Sequence, residues 1–145
     1  MATITRWVTG EFANPGFELP DGKVGFPHFE ISFADLAVSA ADVVRVITVP
    51  ANTWVFLVVW EVTTAEGSTC TATIGDGSGA ASWDAQINLN SAAASGGVHG
   101  TDTYMNTHGH GKFYSSADTI DLTMGHAAST AVFWIGAQMA RVVTS

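Results

Sequence analysis

The alternation of apolar and polar positions divides this chain into short extended segments, and the strongest of them is Thr53 to Thr64, TWVFLVVWEVTT. In strand geometry Trp54, Phe56, Val58, Trp60 and Val62 share one face, and Val55, Leu57 and Val59 share the other. Both faces are apolar over the first half. An antiparallel sandwich strand normally alternates with polar residues on its outer side, so this pattern predicts cover from the N-terminal residues or from a second subunit. A buried helix is the competing reading of such a run. Its β-branched and aromatic positions and the lack of a cap favour a strand.

Similar segments flank it. Thr3 to Thr9 can form a short strand, and Phe29-Glu30-Ile31-Ser32-Phe33 alternates with its Phe and Ile side chains on one face. Val43 to Val49 is a β-branched run ended by Pro50, which cannot donate to a ladder. Thr69 to Ile74 alternates and is closed by the turn Gly75-Asp76-Gly77-Ser78-Gly79. Trp83 and Gln86 to Leu89 resume extended structure. Asn90 to Gly100, NSAAASGGVHG, reads as a small-residue surface loop, and Thr101 to Met105 as a further short strand. Phe113-Tyr114 leads through a turn to Thr119 to Met124, with Ile120, Leu122 and Met124 inward. In Thr130 to Val143 the residues Phe133, Ile135, Ala137 and Met139 share a face. About eight strands with turns every eight to twelve residues or so, and no amphipathic helix of useful length, predict an all-β fold. The expected class is an antiparallel β-sandwich or jelly roll.

The first part of the chain is organised differently. Asn14-Pro15-Gly16, Pro20-Asp21-Gly22 and Phe26-Pro27 punctuate residues 1–40, through which Trp7, Phe12, Phe17, Phe26, Phe29 and Phe33 are threaded. This predicts an extended N-terminal arm over 1–40 and a sandwich over 41–145, within one globular domain. An arm with that much apolar area lies either on its own core or on a neighbouring subunit.

Composition sharpens the picture. Charged residues are only 12% of the 145, so little charge is present to solvate a large surface, which points to apolar area covered by assembly. A net charge of −8 repels phosphate backbones and anionic headgroups, so neither nucleic acid nor a membrane surface is an expected partner. No run approaches the roughly 18 apolar residues of a membrane helix, and the N-terminus lacks the apolar core of a secretory signal. Synthesis and folding in a cytoplasm are therefore expected. The single Cys70 has no partner for an intrachain disulfide and reads as a core thiol.

Candidate chemistry is sparse. Four of the five histidines fall between His99 and His126, and His108-Gly109-His110 sets two imidazoles on one side of an extended chain, the HxH element of a cupin-like metal site. Gly109 and Gly111, with no matching Glu, make an ordinary loop the stronger reading of His108 and His110. Asp76 and Asp84 lack the spacing of a Ca²⁺ loop, and Gly75 to Gly79 lacks the ending of a phosphate-binding loop. Signatures for nucleophilic or metal hydrolysis do not occur. No catalytic residue and no cofactor are assigned.

Val49-Pro50-Ala51, Glu61 to Gly67, Ile74 to Gly77, Trp83-Asp84 and Lys112 to Thr123, in that order, resemble small structural proteins of tailed-bacteriophage virions, of the capsid decoration or cement type. The resemblance spans Asp42 to Val143, about two thirds of the chain. It implies a jelly-roll subunit with no enzymatic activity that forms a homo-oligomer, a trimer, binds the major capsid protein at the head surface and stabilises the capsid. Trp7, Phe12, Phe17, Trp54 and Trp60 are then the expected interface residues. The alternative is a head or tail fibre module that binds carbohydrate or a receptor, with a cupin-like metalloenzyme ranked last.

Overall fold

The computed structural model describes residues 3–5, 24–91, 95–97 and 111–142. Among them eleven strands and no helix occur: β1 (Thr3–Thr5), β2 (Val24–Gly25), β3 (His28–Ser32), β4 (Val43–Val49), β5 (Thr53–Thr64), β6 (Thr71–Asp76), β7 (Gly79–Asn88), β8 (Ser95–Gly97), β9 (Lys112–Tyr114), β10 (Asp118–Met124) and β11 (Val132–Arg141). They form two sheets. Sheet A runs β1-β4-β10-β6-β7. Sheet B runs β2-β11-β5-β8, with β3 also beside β11 and β9 also beside β5. Only β1 with β4 is parallel; the other pairings are antiparallel. The expected all-β sandwich is what forms.

The core lies between the sheets and is built by the inward phase of each strand. Phe29, Ile31 and Phe33, the apolar alternation seen in the sequence, are buried against β11, where Phe133, Ile135, Ala137 and Met139 face inward. Ile120, Leu122 and Met124 of β10 face them from sheet A with Val44, Ile47 and Val49 of β4. Burying each such side chain contributes about 1.5–3 kcal/mol. The segment read as an arm thus supplies β2 and β3 to sheet B, and Trp7, Phe12 and Phe17 lie outside the described residues.

Pro50 ends β4 as expected, and the return into β5 is completed by Asn52 at φ 58°, a left-handed conformation that Asn tolerates better than most side chains. Its carbonyl accepts from Val142 N at 2.7 Å, which ties the end of β11 to this turn.

The small-residue stretch Asn90 to Gly100 is not wholly the loop that its composition predicts. Ser95–Gly97 pairs with Val59, Trp60 and Glu61 of β5. Ladder hydrogen bonds to an exposed edge recruit a segment that has no strand propensity of its own.

Candidate interaction surface

The longest strand does not keep the single alternation that its sequence suggests. Met139 of β11 stands opposite Val55, while its neighbour Gln138 stands opposite Leu57, so Phe56 is an extra residue in β5. This β-bulge reverses the side-chain phase. Thr53 and Val55 point into the core before it; Val58 and Val62 are fully buried after it, with Trp60 packed against the core between them. Trp54 and Phe56 are therefore not on the face of Val58, Trp60 and Val62, as a regular strand would require. They stand on the outer face of sheet B, 39% and 37% exposed.

Neighbouring strands extend that outer face. Phe113 of β9, 40% exposed, pairs with Trp54, and the two rings meet at 5.4 Å with a 47° tilt. Toward the other edge, Phe26 at 40% exposure packs with His28 and Trp134, ring centroids 5.7–6.2 Å apart. Gly136 makes room for this cluster: a Cβ there would stand 3.0 Å from the Phe26 ring. Trp134 is flanked in register by Glu30 on β3 and Glu61 on β5, both exposed.

Sheet A presents a different outer surface. Arg45, Thr48, Thr119, Thr123, Thr71, Thr73 and Gln86 occupy its outward positions, and a hollow of about 380 Å³ there is lined by Arg45, Thr48, Ala117, Asp118 and Thr119. Among the described residues no large exposed hydrophobic side chain lies on that face; Phe26, Trp54, Phe56 and Phe113 are all on sheet B. Among the described residues, sheet A presents a polar outer face and sheet B an aromatic one.

A polar clasp inside the sandwich sets the position of Phe113. The alternation of β9 turns Lys112 and Tyr114 inward when Phe113 points out. Lys112 Nζ donates to Asp76 Oδ2 at 2.6 Å and to Ser78 Oγ at 2.7 Å, and lies 4.9 Å from the centre of the Tyr114 ring. Tyr114 donates its hydroxyl proton to Asp76 Oδ2 at 2.6 Å and accepts from Trp83 Nε1 at 2.9 Å. Ser78 donates to Asp76 Oδ1 through both its amide and its hydroxyl. Burial alone would raise the Asp76 pKa, but the donors Lys112, Ser78, Tyr114 and Ser82 outweigh it and hold the carboxyl far below its ordinary value. Burial, then the hydrogen bond to the Asp76 carboxylate, push the Tyr114 hydroxyl well above its own. Gly111, at φ 92°, precedes this strand and lies so close to the bulge that a Cβ would collide with the Val55 carbonyl and stand 2.9 Å from Phe56 Cα.

Two further carboxylates are placed by the fold. Glu66 Oε2 accepts from the amides of Ser129, Thr130 and Ala131 at 3.1, 2.9 and 2.9 Å, which joins the turn after β5 to the entry of β11. Burial works to raise its pKa, and the three amides turn the balance to a lowered value. Asp121 faces outward from β10 beside Arg45, yet is buried, and its Oδ1 has no hydrogen-bond partner. Burial raises its pKa to about 6; Thr119 and Arg45 lower it only in part, and Asp118 and Asp76 add to the rise.

Of the residues that the sequence singled out, Trp54 lies on the aromatic face. Trp60 turns inward, stacks on Phe133 at 6.0 Å and donates to Asp84 Oδ2 at 3.1 Å. Trp7, Phe12, Phe17, His108 and His110 lie outside the described residues. Among the described residues no group of three or more His, Cys, Asp or Glu is arranged to hold a metal ion. Asp76 and Asp84, weighed for Ca²⁺, are engaged by protein donors, and the Lys112 ammonium beside Asp76 opposes a second cation. Cys70 is buried; desolvation, then the Glu66 charge, raise its thiol pKa, as befits a core residue. Sequence reasoning passed over Phe26, Phe56, Phe113 and Trp134 as surface residues. The outward phase of Trp134 and Phe113 was available from their alternation with Phe133 and Tyr114, whereas Phe56 required the bulge.

No protein-family model matches the chain, and no curated protein does. Among solved structures, a chain of the capsid of Ralstonia phage GP4 has a similar fold. It superposes with a TM-score of 0.58 over 98% of this chain and 99% of that one, at 13% identity. A chain of the cyanophage Pam1 capsid asymmetric unit superposes with a TM-score of 0.53 over 90% of this chain and 94% of that one, at 16% identity. At such identities the likeness is one of fold, and it extends over nearly the whole length of each chain.

Proposed function

We propose that this chain is a non-catalytic structural protein of a bacteriophage virion, a decoration or cement protein that binds the capsid surface as a trimer and stabilises the head. The observation that carries the reading is the segregation of exposed aromatics onto the outer face of sheet B, opposite a threonine-rich face on sheet A. Such a patch on a chain with only 12% charged residues suits contact with another protein. The fold shared with two chains from phage capsids adds the setting. Consecutive strands from β3 onward cross between the sheets except at β6 to β7 and at β8 to β9, which both lie along the edge of β5 opposite β11, and this fits a jelly-roll winding.

The test is co-sedimentation of purified protein with heads that lack it, together with the melting temperature of those heads. Saturable binding that raises head stability is expected, with a trimer in analytical ultracentrifugation. No binding to heads, or saturable binding on a glycan array in place of it, would overturn the reading in favour of another virion or receptor role.

A further inference from the structure

We infer that the outer face of sheet B is the docking surface for a heterologous protein whose contact patch is apolar and bordered by lysine or arginine. The assignment rests on the virion reading above and names the face and the chemistry of its partner. Trp54, Phe56 and Phe113 form one aromatic end of the face, and Phe26 with Trp134 the other. Large aromatic side chains, tryptophan above all, are among the residues that carry binding energy when a partner covers them.

The charges decide between a foreign partner and a second copy. Glu30 and Glu61 stand on either side of Trp134, so the occupant meets two carboxylates beside an indole. The chain has 13 acidic and 5 basic residues. Lys112 is spent on Asp76 inside the sandwich, and Arg45 stands on the outer face of sheet A. Arg141 shares the phase of the inward Met139 and stands opposite Thr53, and Arg6 and Lys23 lie outside the described residues, so among the described residues no Lys or Arg stands on this face; in a face-to-face pair of copies the Glu30 and Glu61 carboxylates would meet their own kind. A partner with basic side chains around an apolar centre satisfies both the rings and the carboxylates.

The fold positions the aromatic side chains where the contact would form. The Asp76 clasp holds Lys112 and Tyr114, and through them the intervening Phe113; the bulge holds Phe56; Gly136 seats Phe26. A preformed aromatic surface loses little side-chain freedom on binding.

The experiment compares wild-type protein with F56S/F113S, with E30K/E61K, and with Q86K on sheet A as control, in binding to heads of the virus that encodes the chain, prepared without it. Circular dichroism and thermal melts establish that each variant is folded. The expected result is a loss of affinity of about tenfold or more for F56S/F113S. E30K/E61K should weaken binding most at low salt, wild-type affinity should fall as salt rises, and Q86K should bind like wild type. If wild type binds and both double variants bind equally well, the assignment of the face is overturned. If F56S/F113S instead dissociates the free oligomer and leaves each subunit's binding to heads unchanged, the occupant is a second copy and the assignment is again overturned. Failure of wild type itself to bind heads is a separate result: it removes the virion-surface reading and this assignment with it.

Discussion

Lys112 Nζ lies 2.6 Å from Asp76 Oδ2, and that ion pair ties the turn end of sheet A to the strand of sheet B that carries Phe113. Asp76 is buried and Lys112 is mostly so. Removing the ammonium leaves a buried carboxylate without its charge partner, which typically costs about 3–5 kcal/mol. Lys112→Met is therefore expected to lower the unfolding free energy by an amount of that order in urea titration. Asp76→Leu combined with Lys112→Met should cost less than the sum of the single changes, because the pair fails as a unit. Equal additive costs would show that the two residues act independently.

Asp121 makes the protein's stability rise as the solution is acidified from neutrality. Its folded pKa of about 6 exceeds the ordinary 3.8, so the folded state holds a proton that the unfolded state releases. The contribution is fully present below about pH 4 and is lost as pH rises through about 6. Asp121→Asn is expected to stabilise the protein by about 1–3 kcal/mol at pH 7.5 and to have little effect near pH 4. Thermal melts at the two pH values measure this; equal effects at both would contradict it.

Below pH 4 the sign reverses. Asp76 and Glu66 have folded pKa values lowered from the ordinary range, so their contributions are present above their unfolded pKa values and are lost as pH falls through the folded ones. Acid unfolding should set in as these groups are forced to take protons. Glu66→Gln keeps the shape but weakens the acceptor for three amides, and a loss of about 1–3 kcal/mol is expected at pH 7 with the acid limb of the profile flattened. A profile identical to wild type would remove Glu66 from that role.

The bulge at Phe56 makes a prediction that separates side chain from spacing. Phe56→Ser removes an exposed ring and should change stability by less than about 1 kcal/mol. Deleting Phe56 restores strict pairing, and with it either Thr53 and Val55 or Val58, Trp60 and Val62 must turn out of the core. The deletion is expected to abolish cooperative unfolding in a chemical melt. A deleted chain that still unfolds cooperatively near the wild-type midpoint would show the bulge to be dispensable.

Gly111→Ala tests the close approach from the other side. The left-handed φ of 92° and the Val55 carbonyl both oppose a Cβ, so β9 must shift. A loss of about 1–3 kcal/mol is expected, along with altered tryptophan fluorescence as Phe113 moves from Trp54. An unchanged emission spectrum and midpoint would mean that β9 accommodates the methyl group without moving.

Much of the architecture was legible from the pattern of residues alone. Val43–Val49 and Thr53–Thr64 have the bounds that β-branched runs and Pro50 predict, and the inward rows on β3, β10 and β11 are the period-two rows of the sequence. These follow from local rules: alternation matches the pleat, proline lacks a donor, and a buried row must be apolar. What only the tertiary structure decided are the features that depend on a neighbouring strand. The phase of β5 reverses because Gln138 and Met139 of β11 skip Phe56, and no alternation within β5 marks that point. Ser95–Gly97 becomes a strand because β5 offers it an open ladder. The pairing of Asp76 with Lys112 joins residues 36 positions apart, and neither position by itself names the other. Sequence determined that this is an all-β sandwich rich in apolar and poor in charged residues. The register between strands decided which aromatic residues were left outside.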